Sequence, residues 1–136
     1  MAHAILVAEA EKRRLPIEVY SAGVFDFRGE PAIDDTTNTC EMHDTPAPVE
    51  VASWVRDLPI DEITRFLVME KMHAEVLIEG YAIEPERISL LGKFDPKGRG
   101  AEIADPFSHS SVVYERSYLQ IRDCIVAYLD ATDDLN

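Results

Sequence analysis

The run Thr64-Arg65-Phe66-Leu67-Val68-Met69 constrains the fold of this chain most. It is nearly continuously apolar, without the in-out alternation of a strand that has one wet face. A strand of that kind is buried on both sides, as in a parallel sheet covered by helices. The neighbouring sequence fits that demand. Arg87 to Leu91 reads as another strand, and residues 17–21, Ile-Glu-Val-Tyr-Ser, alternate as a short one.

Helical segments separate the strands. Residues 1–15 place Met1, Ile5, Ala8 and Leu15 near one face. Lys12, Arg13 and Arg14 lie in the last turn, where cations suit the helix dipole, and Pro16 stops the helix. Pro48 to Leu58 is expected to form a second helix, with Val51, Trp54 and Val55 apolar. Residues 71–80 form a third, with Gly80 suited to its C-cap. Ser110 to Leu129 forms the last, with Val113, Tyr114, Ser117, Ile121, Cys124, Ile125 and Leu129 roughly on one face. Residues 22–46 read as a long connection holding at most one helical turn, and residues 94–106 as a Gly/Pro/Asp loop. The tail Asp130 to Asn136 is expected to fray. Helices and strands thus alternate, which argues for an α/β layer fold with a parallel sheet, formed by one domain spanning residues 1–136.

Charge and composition narrow the function classes. A net charge of −13 repels nucleic acid and anionic membranes, and neither is expected as a partner. No apolar stretch is long enough to cross a bilayer, and no signal peptide is visible. A cytoplasmic location is expected. Cys40 and Cys124 give neither a disulfide framework nor metal-ligand spacing. His3, His43, His73 and His109 are scattered, so no metal site and no cofactor are expected. The acidic pair Asp34-Asp35 and the acidic tail read as solvated carboxylates. A receiver-like signalling domain would fit the length, but no acidic pair falls at a first strand end and no lysine at a late one.

Several segments fall together in a telling order. Met1-Ala2-His3-Ala4 opens a helix, then come Val19-Tyr20-Ser21-Ala22-Gly23 and Gly29-Glu30-Pro31-Ala32. Leu67-Val68-Met69-Glu70 and Ile88-Ser89-Leu90-Leu91 follow, and Ile103-Ala104-Asp105-Pro106-Phe107 leads into the last helix. Over its whole length the chain resembles the low-molecular-weight protein tyrosine phosphatases, including their bacterial relatives that act on phosphoarginine. The resemblance implies a three-layer, flavodoxin-like α/β fold. It also implies hydrolysis of phosphotyrosine or phosphoarginine in a phosphorylated protein substrate, through a cysteinyl-phosphate.

Such enzymes use a phosphate loop of form C-x5-R-[ST]-P. Its thiolate attacks phosphorus, its backbone N–H groups cradle the phosphate, and its arginine grips two phosphate oxygens. A distant aspartate protonates the leaving oxygen. By resemblance Asp105 is that general acid, Phe107 the aromatic wall beside the substrate ring, and Ser21 a support for the phosphate loop. Asp95-Pro96 is read as a plain loop turn.

No nucleophile can be named. The loop would directly precede Met1, so the chain reads as truncated at its N-terminus and as inactive in the form given. Cys40 is followed six residues on by Pro46, and Cys124 by Asp130, so neither starts a C-x5-R. Cys124 is expected in the core. Cys40 is expected in a loop, where Glu41 and Asp44 would raise its thiol pKa. The thiol relay of related arsenate reductases needs more cysteines than these two. The alternative to an enzyme is a non-catalytic pseudophosphatase that binds or dimerises. In the resembled fold the sheet runs 2-1-3-4, and strands 17–21, 64–69 and 87–91 would be its second, third and fourth. The interior first strand is then lacking, and unpaired strand edges offer a route to a homo-oligomer.

Overall fold

The computed structural model describes residues 1–46 and 51–132. Its helices are α1 (Ala2–Lys12), α2 (Asp34–Met42), α3 (Lys71–Tyr81) and α4 (Ser111–Thr132). Its strands are β1 (Phe66–Val68) and β2 (Ile88–Leu90). β1 and β2 pair in parallel with Phe66 opposite Ile88 and Val68 opposite Leu90. α3 makes the crossover between them.

Side-chain alternation along β1 sorts the core into two clusters. Phe66 and Val68 join Leu77 of α3, Leu90 of β2, Ile83 and Val55 in one. Leu67 and Met69 pack against the other, formed by Ile5 of α1, Cys40 of α2, Leu91, Ile103 and the α4 residues Tyr118, Ile121, Cys124, Ile125 and Leu129. The helices therefore cover both faces of the strand, and the apolar run that demanded this is satisfied. Cys124 is fully buried in the core, as its place on the apolar face of α4 predicts.

α1 ends earlier than Leu15. Arg14 adopts φ 54°, Leu15 N–H donates to Ala10 O at 2.9 Å, and Arg14 N–H donates to Glu11 O at 3.1 Å. These are the two hydrogen bonds of a Schellman stop, and they satisfy carbonyls that Pro16 cannot reach. α3 closes with Ala82, not Gly80, in the left-handed conformation, at φ 53°. A Cβ in that region costs about 1 kcal/mol. Ala82→Gly is therefore expected to stabilise the chain by roughly 0.5–1 kcal/mol, read as a raised urea midpoint with an unchanged slope.

Three expectations are corrected. First, residues 22–46 hold a nine-residue helix, α2, rather than a single turn. Its Thr and Asn residues are poor helix formers, but packing decides: Thr39 and Cys40 are buried, and Asp34 and Asp35 sit in the first turn, where the dipole favours them. Second, the helix expected over Pro48–Leu58 does not form in its described part; residues 48–50 lie outside the described residues. Val51 and Trp54 instead form isolated bridges to Pro31 and Gly23, and only Val55–Asp57 makes a 3-10 turn. Ala52 N–H donates to Glu30 O and Val55 N–H to Gly23 O, so this backbone bonds across the chain and not within a helix. Third, residues 17–21 join no strand. Among the described residues their backbone has no backbone hydrogen-bond partner, because no strand lies beside them.

Candidate functional site at the N-terminal pole of α1

The first turn of α1 starts at Met1 without a side-chain cap. Such a turn presents amide N–H groups that no intrahelical carbonyl satisfies, together with the positive end of the helix dipole. Ser21 and Asp105 both come to this pole, from opposite parts of the sequence.

Ser21 follows the turn that ends α1, so the chain runs back alongside the helix. Its Oγ hydrogen-bonds Nδ1 of His3 at 3.3 Å, which fixes Ser21 beside the first helical turn. Asp105 arrives on the segment between β2 and α4. Ile103 anchors that segment: it is buried, and its N–H donates to Met69 O at 2.9 Å just past the C-terminal end of β1. Glu102 accepts from the N–H of Lys71 at 3.1 Å, tying the same segment to the start of α3. Asp105 then accepts from the N–H of Phe107 at 3.0 Å, and His109 N–H closes on Pro106 O at 2.9 Å. Pro106 is buried while Asp105 and Phe107 are exposed, Phe107 by 61%. The site thus lies outside the carboxyl ends of a parallel sheet, where open α/β folds hold ligands.

Asp105 is coupled electrostatically to the start of α1 and to α4. Burial lowers the Met1 amine below its ordinary value, against the opposing pull of Cys40 and Asp105. The Tyr114 phenol is raised by burial first, then by the fields of Asp35 and Asp105. Cys40 therefore lies near this pole, but not as a loop thiol. It sits in α2 with no exposed surface, and burial raises its pKa, opposed by the Met1 amine and assisted by Glu41. Cys124 is raised to about 11, chiefly by burial. Both thiols are thus protonated near neutral pH, and neither behaves like a catalytic thiolate.

His3 and Tyr114 were not singled out as site residues. The signal for His3 was its place in the first helical turn, one turn from where Ser21 returns. Asp95, read as a plain turn, is instead a hub with no exposed side-chain surface. It accepts from Arg99 Nε at 2.8 Å and Nη2 at 2.9 Å, and from the N–H groups of Lys97 and Arg99. It stabilises the loop and lies outside the pole. His43 joins Glu115 through Nε2 at 2.7 Å and stacks on Tyr118. His73 completes a capping box with Glu70 at the start of α3. Among the described residues no group of three or more His, Cys, Asp or Glu side chains is placed to hold a metal ion, and no helix is long and apolar enough to cross a membrane.

An uncapped helix N-terminus outside the carboxyl ends of a parallel sheet, with a serine and an aspartate beside it, is the kind of place where α/β folds bind anions. The chain belongs to the low molecular weight phosphotyrosine protein phosphatase family, whose model matches residues 1–134. Solved structures are similar throughout. The YwlE arginine phosphatase from Geobacillus stearothermophilus is 28% identical with a TM-score of 0.80, over 98% of this chain and 85% of that one. A low molecular weight protein tyrosine phosphatase from T. tengcongensis is 21% identical with a TM-score of 0.86, over 96% of this chain and 88% of that one. A YwlE mutant from Bacillus subtilis is 19% identical with a TM-score of 0.86, over 97% and 88%. No curated protein matches the chain.

Proposed function

We propose that the N-terminal pole of α1 is built for hydrolysis of a phosphorylated protein side chain, phosphotyrosine or phosphoarginine, by the cysteinyl-phosphate route, and that these 136 residues alone do not turn it over. One observation carries the reading: Asp105 is exposed beside an uncapped helix N-terminus, with its carboxylate held by the Phe107 N–H and its backbone followed by the buried Pro106. In that position Asp105 would protonate the leaving oxygen or nitrogen, then deprotonate the water that opens the phosphoenzyme. Phe107 would flank the substrate side chain, and Ser21, held by His3, would support the phosphate loop. The reaction also needs a thiolate and an arginine, and the two cysteines are buried and start no C-x5-R. Family membership and the 28% identity to an arginine phosphatase favour this reading over any unrelated phosphate chemistry.

The test is steady-state turnover by the purified chain of p-nitrophenyl phosphate and of a phosphoarginine peptide, beside its Asp105→Asn variant. The two proteins are expected to give the same rate, no faster than buffer. A robust rate, inhibited by inorganic phosphate and abolished in the variant, would overturn the claim that these residues lack turnover. A second reading, a non-catalytic phosphatase-like module acting by binding as one domain, is favoured by the unpaired extended backbone of residues 17–21.

A further inference from the structure

Two neighbouring amides at the start of α3 are held by side chains. The N–H of Glu70 donates to Nδ1 of His73 at 3.2 Å, and the N–H of Lys71 donates to Oε2 of Glu102 at 3.1 Å. The Glu70 carboxylate in turn accepts from the His73 N–H, which closes the capping box. The first of these bonds fixes the state of the ring. A backbone N–H can only donate, so Nδ1 offers a lone pair and the imidazole is the neutral Nε2–H form. A box closed by Glu or Gln keeps its acceptor near neutral pH, whereas one closed by His loses it on protonation.

Protonation acts on both halves of the box. With a proton on Nδ1 the ring no longer accepts, and the Glu70 N–H loses its partner. The new charge sits in the first helical turn, where the dipole opposes it. The Glu70 carboxylate, 3.8 Å from Nε2, is drawn to the cation and away from the His73 N–H. That attraction joins two partly exposed groups and offsets little of the loss. Among the described residues Glu70 alone forms an ion pair with His73; the other charged groups at this end of α3 are Lys71 on the same turn and Glu102 on the segment across from it. The box also reaches further than its own helix. Met69 O and the Lys71 N–H, on either side of Glu70, are the two points that tie down Ile103 and Glu102, and Asp105 stands two residues beyond Ile103. We propose that the Glu70–His73 box is a pH-sensitive clasp: closed by the neutral imidazole it holds the segment that carries Asp105, and opened by protonation it releases that segment. The proposal concerns how the segment is held, so it stands or falls separately from the role given to Asp105.

The test is amide hydrogen exchange of the full chain by NMR at about pH 7.5 and about pH 5.5, with each rate corrected for the intrinsic effect of pH. The amides of Glu70, Lys71 and Ile103 are expected to lose about fivefold in protection or more at the lower pH, relative to the amide of Ile125 in the core of α4. His73→Asn keeps an acceptor that does not titrate, and its protection is expected to be the same at both pH values. Ring nitrogen shifts of the wild type are expected to show the Nε2–H form at the higher pH. Unchanged protection of Glu70 and Lys71 on acidification would overturn the proposal, as would an equal loss in His73→Asn or an Nδ1–H ring at the higher pH. Loss at Glu70 and Lys71 with Ile103 unaffected would overturn the link to the Asp105 segment.

Discussion

Gly92→Ala is expected to destabilise the chain by about 3 kcal/mol or more, enough to lower Tm by roughly 10–15 °C. Gly92 is the second residue of the 3-10 turn Leu91–Phe94 that follows β2, and it is itself buried. A Cβ there would stand 2.3 Å from the carbonyl oxygen of Ala101 and 2.4 Å from that of Gly100. Both obstacles are backbone atoms, so no rotamer change relieves the overlap. The 100–101 segment must move instead, and it leads directly to Ile103, whose N–H holds Met69 O. The effect should therefore reach the Asp105 segment as well as global stability. Thermal unfolding followed by circular dichroism measures it, and a shift of less than about 3 °C would show that the segment yields freely.

Asp95→Ala is expected to cost about 3 kcal/mol, because it removes several charge-assisted hydrogen bonds and leaves Arg99 without its main partner. Arg99 also reaches Asp123 of α4 at 2.8 Å, so the Asp95 hub fastens the loop after β2 onto that helix. The pH dependence has a definite sign. The Arg99 guanidinium and the Lys97 and Arg99 N–H groups hold the Asp95 carboxyl at about 2, below its ordinary 3.8. On acidification the unfolded chain takes up this proton first. The contribution of Asp95 is thus full above the ordinary carboxylate range and is lost as pH falls through about 2. Denaturation midpoints of the wild type and of Asp95→Asn should differ by a constant amount above about pH 5, and the gap should narrow steadily below that and close only as pH falls through about 2. A gap that stays constant down to pH 2 would contradict this placement of Asp95.

The legible parts of the fold were those where one residue pattern admits one structure. The apolar run at 64–69 and the long stripe of the last helix announced β1 and α4, and Cys124 fell in the core with them. α2 was not legible, because Asp34–Met42 has a weak intrinsic tendency to form a helix and owes its structure to burial of Thr39 and Cys40. The Val51–Leu58 segment misled in the opposite direction. Its apolar residues suggested a helix, but its backbone groups are taken by Gly23, Gly29 and Glu30, some twenty to thirty residues earlier. Asp95 looked like any Asp-Pro turn, since the arginine that makes it a hub lies four residues on and the helix that completes it begins later still. At the proposed site, Asp105 and Phe107 stand out in the sequence through the contiguous Asp-Pro-Phe run ahead of α4. The part played by His3 does not, because it depends on the chain folding back after α1 to bring Ser21 beside the first turn.

The most direct test of the account is a search for the covalent intermediate itself. The folded chain is mixed with p-nitrophenyl phosphate, quenched within milliseconds, and Cys40 and Cys124 are examined by peptide mass spectrometry. With both thiols buried and their pKa values raised, neither peptide is expected to carry a phosphoryl group. A phosphorylated Cys40 or Cys124 in the folded protein would contradict the account, since it would place a working nucleophile where the structure holds a core thiol.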